Sequence, residues 1–317
     1  MIQNKTMILT MIIMVIPTIG QAGNESTLSP LVISPAQSHL FEETQFDSQY
    51  TYGTTKLVED TSNSQSMSRE ETLHIKLEAK AVHNLQALPA TLGLKAEFDD
   101  VKTNPEGQLE TSTETLAITP SISLEATESI CFGAEIGLYN SQQETVLSDN
   151  ETTSETSYTL PAVGATYHNE VLEAGVLYSK EVNDNQTTVP AKVRLHGTYQ
   201  VSPIVKVGGF LDQVNYAAVD ENSKDIIQTT ILTQVSPLNR LSIQGMYRYK
   251  PAHNKSKNAI SAKTLSSQMV LLGGDYAIKP NIKLGGFLSD QFAEEKSSAS
   301  QFENEQLTIG LRAGLTL

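Results

Sequence analysis

The chain has no tryptophan and a single cysteine, Cys131. One thiol forms no internal disulfide, so no covalent staple holds the fold. It also lacks an apolar run long enough for a membrane-spanning helix. The longest, Met7 to Ile16, is about ten residues, half of the roughly 20 that a helix needs. Any passage through a membrane must then use strands closed into a barrel, because lipid offers no partner to unpaired backbone groups. Basic residues are scarce: Lys and Arg number 22 against 36 Asp and Glu, a formal charge of −14. That balance argues against nucleic acid as a partner.

Catalytic signatures are missing as well. The six histidines are scattered, and neither H-E-x-x-H nor G-x-S-x-G occurs. The carboxylates have no spacing that marks an acid/base pair. An outer-membrane phospholipase would need Ser and His together on a lipid-facing wall, whereas His74 and His196 fall in the opposite sets. Cys131 falls on the inward face of its strand, where a thiol is inert. The expectation is a protein that is not an enzyme, with no cofactor and no metal.

What the chain does have is a repeated unit. Val201 to Val214 reads V-S-P-I-V-K-V-G-G-F-L-D-Q-V, and Ile278 to Phe292 reads I-K-P-N-I-K-L-G-G-F-L-S-D-Q-F. Each is a strand end, a tight turn at proline, and a new strand alternating with period 2. Weaker copies of the turn sit at Leu88-Pro89, Thr127 to Ser129, His168 to Glu170 and Ser236 to Asn239. Between them lie polar stretches expected as long loops: Val58 to Glu70, Asp99 to Glu110, Ser141 to Glu155, Glu181 to Thr188, Val219 to Asp225, Lys250 to Lys263 and Ala293 to Glu305. Alternating short and long connections give the rhythm of an up-and-down barrel. Seven long loops and six short turns predict an all-β, antiparallel transmembrane barrel of about fourteen strands.

The chain divides into three parts. Residues 1–22 read as a cleaved signal peptide, with Lys5 as the positive region, Met7 to Ile16 as the apolar region and Gly20-Gln21-Ala22 as the cleavage site. Residues 23–44, punctuated by Pro30 and Pro35, read as a flexible periplasmic lead-in. Residues 45–317 are the barrel, whose first strand is expected over Gln45 to Leu57. Pro120 and Pro161 predict bulges or late strand starts in strands four and six. A hydrophobic content of 39% fits a wall in which every second residue faces water.

The chain ends on Q-L-T-I-G-L-R-A-G-L-T-L, with Leu307, Ile309, Leu311, Ala313, Leu315 and Leu317 alternating with polar or small residues. This segment resembles the C-terminal signature of bacterial outer-membrane β-barrel proteins of the porin-like superfamily, although Leu317 stands where an aromatic residue is usual. The resemblance covers nearly the whole chain and singles out no one family. It implies residence in the outer membrane of a Gram-negative bacterium, contact with its lipid, and recognition by the barrel-assembly machinery. The oligomeric state stays open. Such barrels keep both termini and the short turns in the periplasm and the long loops outside. Tyr178, Tyr216, Tyr247 and Tyr249 then lie near the extracellular ends, and Tyr167, Tyr199 and Tyr276 near the periplasmic turns.

If the apolar sets face lipid, the alternate positions line the pore. Strands two to seven point Glu78, Glu97, Glu125, Glu135 and Glu173 inward, with Lys76, Lys80 and Lys95. From strand eight onward the inward charges are mostly basic: Lys192, Arg194, Lys206, Arg240, Arg248, Lys283 and Arg312, with His196 beside them. Asp212 and Asp275 are the acidic exceptions. Opposed arcs across a narrow bore would set up a transverse field that weights ion flux, as in general porins; alternatively the charges pair with neighbouring strands and stiffen the wall. The function expected is passive diffusion of small hydrophilic solutes or ions, with selectivity from the basic arc. The alternative is a structural or adhesive barrel whose loops bind a partner. A fatty-acid-type transporter would carry a longer amino-terminal plug than Gly23 to Thr44 supplies, and an autotransporter would need a large passenger.

Overall fold

Fourteen strands pair in sequence and the last closes on the first, as the alternation demands. The structure is a computed structural model and describes residues 45–61, 64–85, 89–105, 109–147, 150–183, 188–215, 226–254, 264–296 and 300–317. The expected signal peptide and lead-in lie outside the described residues. The strands are β1 (Gln45–Thr61), β2 (Ser64–Leu85), β3 (Ala90–Pro105), β4 (Leu109–Thr127), β5 (Ile130–Leu147), β6 (Asn150–His168) and β7 (Leu172–Ser179). A two-stranded ribbon of β8 (Val182–Asn183) and β9 (Thr188–Val189) follows. The wall resumes with β10 (Ala191–Ser202), β11 (Val205–Asn215), β12 (Ile226–Leu238), β13 (Leu241–Asn254), β14 (Thr264–Lys279), β15 (Ile282–Lys296) and β16 (Ser300–Thr316). β1 pairs antiparallel with both β2 and β16, which closes the barrel. Among the described residues there is no helix.

Side-chain exposure separates the two faces. Leu195, Ile231, Leu272 and Leu311 are 53–64% exposed, although each is mid-strand and apolar. The residues between them, such as His196, Thr230 and Gly310, are buried. Large apolar side chains pointing out of a closed sheet form a lipid-facing band, because water would penalise them by about 25 cal/mol per Å². Exposed tyrosines sit toward both ends of the wall: Tyr178, Tyr247 and Tyr249 toward the long connections, and Tyr167, Tyr199 and Tyr276 toward the short turns. Tyr216 lies outside the described residues.

Two expectations need correction. Strands β4 and β6 run straight through Pro120 and Pro161 without a register shift. At Pro120 the ladder to β5 merely skips from Ile118 to Ser121. The irregularities lie elsewhere, most of them beside the short turns, as between Gln200 and Ser202 and between Ala277 and Lys279. Second, several stretches expected as loops are strand. Val58 to Glu70 is covered by β1 and β2 except for residues 62 and 63, and Ser141 to Glu155 belongs largely to β5 and β6. β2 is 22 residues long, about 70 Å at 3.3 Å per residue, where a tilted strand needs only 9–11 to cross a bilayer.

The rim is therefore uneven. β1 to β6 have 16–22 residues each, whereas β7 has 8 and β11 has 11. β6 pairs with β7 only over Ala162 to His168, and a last bond runs from Lys180 N to Pro161 O. Above Pro161, β6 has no partner strand on that side among the described residues.

Candidate functional site

The site is the lumen, and strand register decides which inward side chains meet. On β2 and β3 a ladder forms because Glu78 opposes Glu97 and Lys76 opposes Asp99. Lys76 bonds Glu97, Lys95 Nζ lies 2.5 Å from Glu97 and 3.6 Å from Glu78, and His74 Nε2 lies 3.0 Å from Asp99. Each of these chains is 18–35% exposed, so they lie against the wall rather than in free solvent. Tyr139 and Tyr158 stack at 4.7 Å on the β5–β6 wall, which β4 separates from β3.

Two arginines of the basic half are paired in the same way. Arg194 donates from Nε and Nη2 to the two Asp212 oxygens at 2.5 and 2.7 Å, and its guanidinium lies 4.3 Å above the Phe210 ring. Arg194 and Asp212 are register partners on β10 and β11, so the fork needs no distortion. Arg312 reaches across Gly285 to make a matching fork with Asp275, and its Nη2 donates to Gln244 at 3.1 Å. A Cβ on Gly285 would stand 2.0 Å from Asp275 Oδ1, so glycine is required there. Asp212 and Asp275, read from sequence as exceptions to a basic arc, are its counter-charges.

The other predicted lumen residues are placed as follows. Lys192, Arg194 and His196 are on β10, Lys206 on β11, Arg248 on β13, Lys283 on β15 and Arg312 on β16. Glu78, Glu97, Glu125, Glu135 and Glu173 are on β2, β3, β4, β5 and β7. Arg240 is a correction: it sits exposed in the turn between β12 and β13, not on the wall, because the hairpin turns at Asn239 and Arg240. Glu125 is exposed near the end of β4. The strands carrying Lys192, Arg248 and Arg312 are each separated by two others, so these charges spread over much of half the circumference instead of sharing one face.

Apolar residues share the inward parity with these charges. Leu232, Met246 and Leu271 are consecutive register partners on β12, β13 and β14, with Met269 beside them and Phe210, Leu177 and Phe287 elsewhere on the same inner surface. Phe287 lies flat over Gly310, where an added Cβ would come within 2.2 Å of the ring. The ring thus lies against the wall at Gly310. Cys131 also faces inward and is fully buried. Among the described residues no three metal-ligating side chains converge.

The sequence matches no family model, and no curated protein matches it. Solved structures do match in fold. A Pseudomonas aeruginosa FadL homologue superposes with a TM-score of 0.67 at 9% identity, covering 90% of this chain and 93% of that one. The Pseudomonas putida toluene transporter TodX gives 0.64 at 12% identity, covering 93% and 95%. The CymD monoaromatic hydrocarbon channel gives 0.61 at 13% identity, covering 94% and 95%. The lead-in Gly23 to Thr44, expected to be shorter than the plug of a fatty-acid-type transporter, lies outside the described residues. At these identities the likeness is one of fold: the chain is a closed fourteen-strand antiparallel barrel of the bacterial outer-membrane type.

Proposed function

We propose that the protein is an outer-membrane channel for small apolar molecules of the monoaromatic hydrocarbon class. The observation that carries this reading is the inward row Leu232–Met246–Leu271, extended by Met269. Apolar side chains on an inner wall are unfavourable against water, and they find their use when an apolar solute displaces that water. Methionine adapts its shape to cargo of varied outline. The structures that resemble the fold include proteins described as a toluene transporter and a monoaromatic hydrocarbon channel.

Passive diffusion of hydrophilic solutes fits the lumen less well. Arg194 and Arg312 are each engaged by a carboxylate on two atoms. Paired charges leave little of the transverse field that the arcs would otherwise supply. On this reading the short-turn end faces the periplasm, the polar strand extensions face outward, and β16 presents the segment that the barrel-assembly machinery takes up. A crystal of the protein soaked with bromobenzene tests the reading. Anomalous bromine density is expected in the lumen against Met246, Met269 and Leu271. Density confined to the outer wall would refute it.

A further inference from the structure

Among the described residues, Arg248 is a lumen arginine with no ion pair of its own. Lys192 shares a row with Glu135 through Ala162 and Ser179, and those two small buried residues let the long chains converge. Lys283 shares a row with Asp47 across Gly314. Arg194 is held by Asp212 and Arg312 by Asp275. Arg248 differs. Three strands to one side its row holds Thr230, Phe210 and His196, and three strands to the other it holds Met269, Gln291 and Gln306. None of these is a carboxylate; the one that acts on Arg248, Asp212 in the neighbouring row, is already held on both oxygens by Arg194.

Unmet polar groups recur along the same row. Arg248 Nε is buried and has no acceptor among the described residues. Thr230, directly opposite on β12, is 1% exposed, and its hydroxyl has no partner either. His196, in the same row, is 6% exposed with both ring nitrogens unpartnered. Buried polar groups are ordinarily satisfied, and a buried charge without a partner is the costliest exception. Several such groups in one row, beside a guanidinium, describe a site built for something that accepts hydrogen bonds and carries negative charge.

We propose that Arg248 and Thr230 form an anion subsite in the lumen that takes a singly charged group. Arg194 and Arg248 share one carboxylate, Asp212, and the single positive charge left over selects a monoanion over a dianion. Arg248 Nε–H and the Thr230 hydroxyl donate to it, while the uncharged part of the ligand lies on Met269, Met246 and Leu232. Met269, the register partner of Arg248, and Met246, two residues along β13, are unbranched, so the side chains beside the pair can shift to admit it. This deepens the reading of the lumen as an apolar conduit and rests on it for the ligand's body: the cargo is an aromatic molecule bearing one acidic group. The anion could equally be a free inorganic one, and the test separates the two.

The experiment is titration of the purified full-length barrel with benzoate, and separately with bromide, followed calorimetrically. Folding of each variant is checked by its heat-modifiable mobility. Wild-type protein is expected to bind benzoate saturably, with affinity falling about tenfold or more in Arg248→Gln, since hydrogen bonds to a charged group are the strong ones. Should that variant not fold, Thr230→Val removes one donor while preserving shape and is expected to weaken benzoate several-fold. Benzoate binding tighter than bromide supports an acidic cargo, and equal binding supports a free inorganic anion at the same site. Equal benzoate affinity in wild type and folded variants, or no binding of either anion, overturns the subsite. Toluene uptake by cells carrying wild-type protein reports on the conduit alone. Uptake without anion binding defeats only the subsite, and anion binding without uptake defeats only the conduit.

Discussion

At the scale of single residues, the lumen is governed by which side chain lies over which small neighbour. Arg312 reaches Asp275 only because Gly285 leaves room, and Phe287 lies flat only because Gly310 does. Both arrangements predict measurable losses. Asp275→Ala strands Arg312, whose side chain is 21% exposed, without a carboxylate. Breaking a mostly buried pair from one side costs about 3 kcal/mol, so the urea midpoint of the folded barrel in detergent should drop clearly, while Asp290→Ala, on an exposed outward position, should leave it nearly unchanged. Gly310→Val should push the Phe287 ring into the bore at a cost of about 1–3 kcal/mol. Single-channel recordings should then show a lower conductance than wild type, and an unaltered conductance would mean that the ring does not border the open path.

Individual strands show what alternation reveals and what it conceals. The face of each clear strand is legible from parity: Leu195, Ile243, Leu284 and Leu311 alternate with the inward set of Arg194, Gln244, Lys283 and Arg312, and they are 41–64% exposed whereas Gln244 is buried. Alternation gives a face but not a cross-strand partner, so the forks of Arg194 to Asp212 and Arg312 to Asp275 stayed hidden. The inward Leu271 was missed because Val270 to Gly273 is apolar or small on both faces, which erases the period. The polar ends of β5 and β6 were read as loop for a related reason. Beyond the lipid no face has to be apolar, so T-T-S-E-T-S continues the ladder without its pattern, although its threonines favour strand. The assignment of faces is testable on β16. Ile309 is 56% exposed on the outer wall, and Ile309→Arg should cost about 2–4 kcal/mol in a bilayer. Gln306→Arg, on the inner face of the same strand, should be tolerated. Equal refolding yields of the two variants into lipid vesicles would contradict the stated register.

At the scale of the whole molecule, a tall polar wall on β1 to β6 drops at β6 to a low one at β7 to β11, around a bore whose charges are largely paired and whose β12–β14 face is apolar. Those features together favour cargo that is itself apolar. The most direct test is a comparison of uptake rates in Gram-negative cells that lack endogenous channels of this kind. Radiolabelled toluene and radiolabelled arabinose would be supplied at low concentration, with and without the protein in the outer membrane. Expression is expected to raise toluene uptake several-fold and to leave arabinose uptake unchanged, and Met246→Asn with Leu271→Asn should return toluene uptake toward the control. Faster arabinose uptake with no gain for toluene would contradict the account.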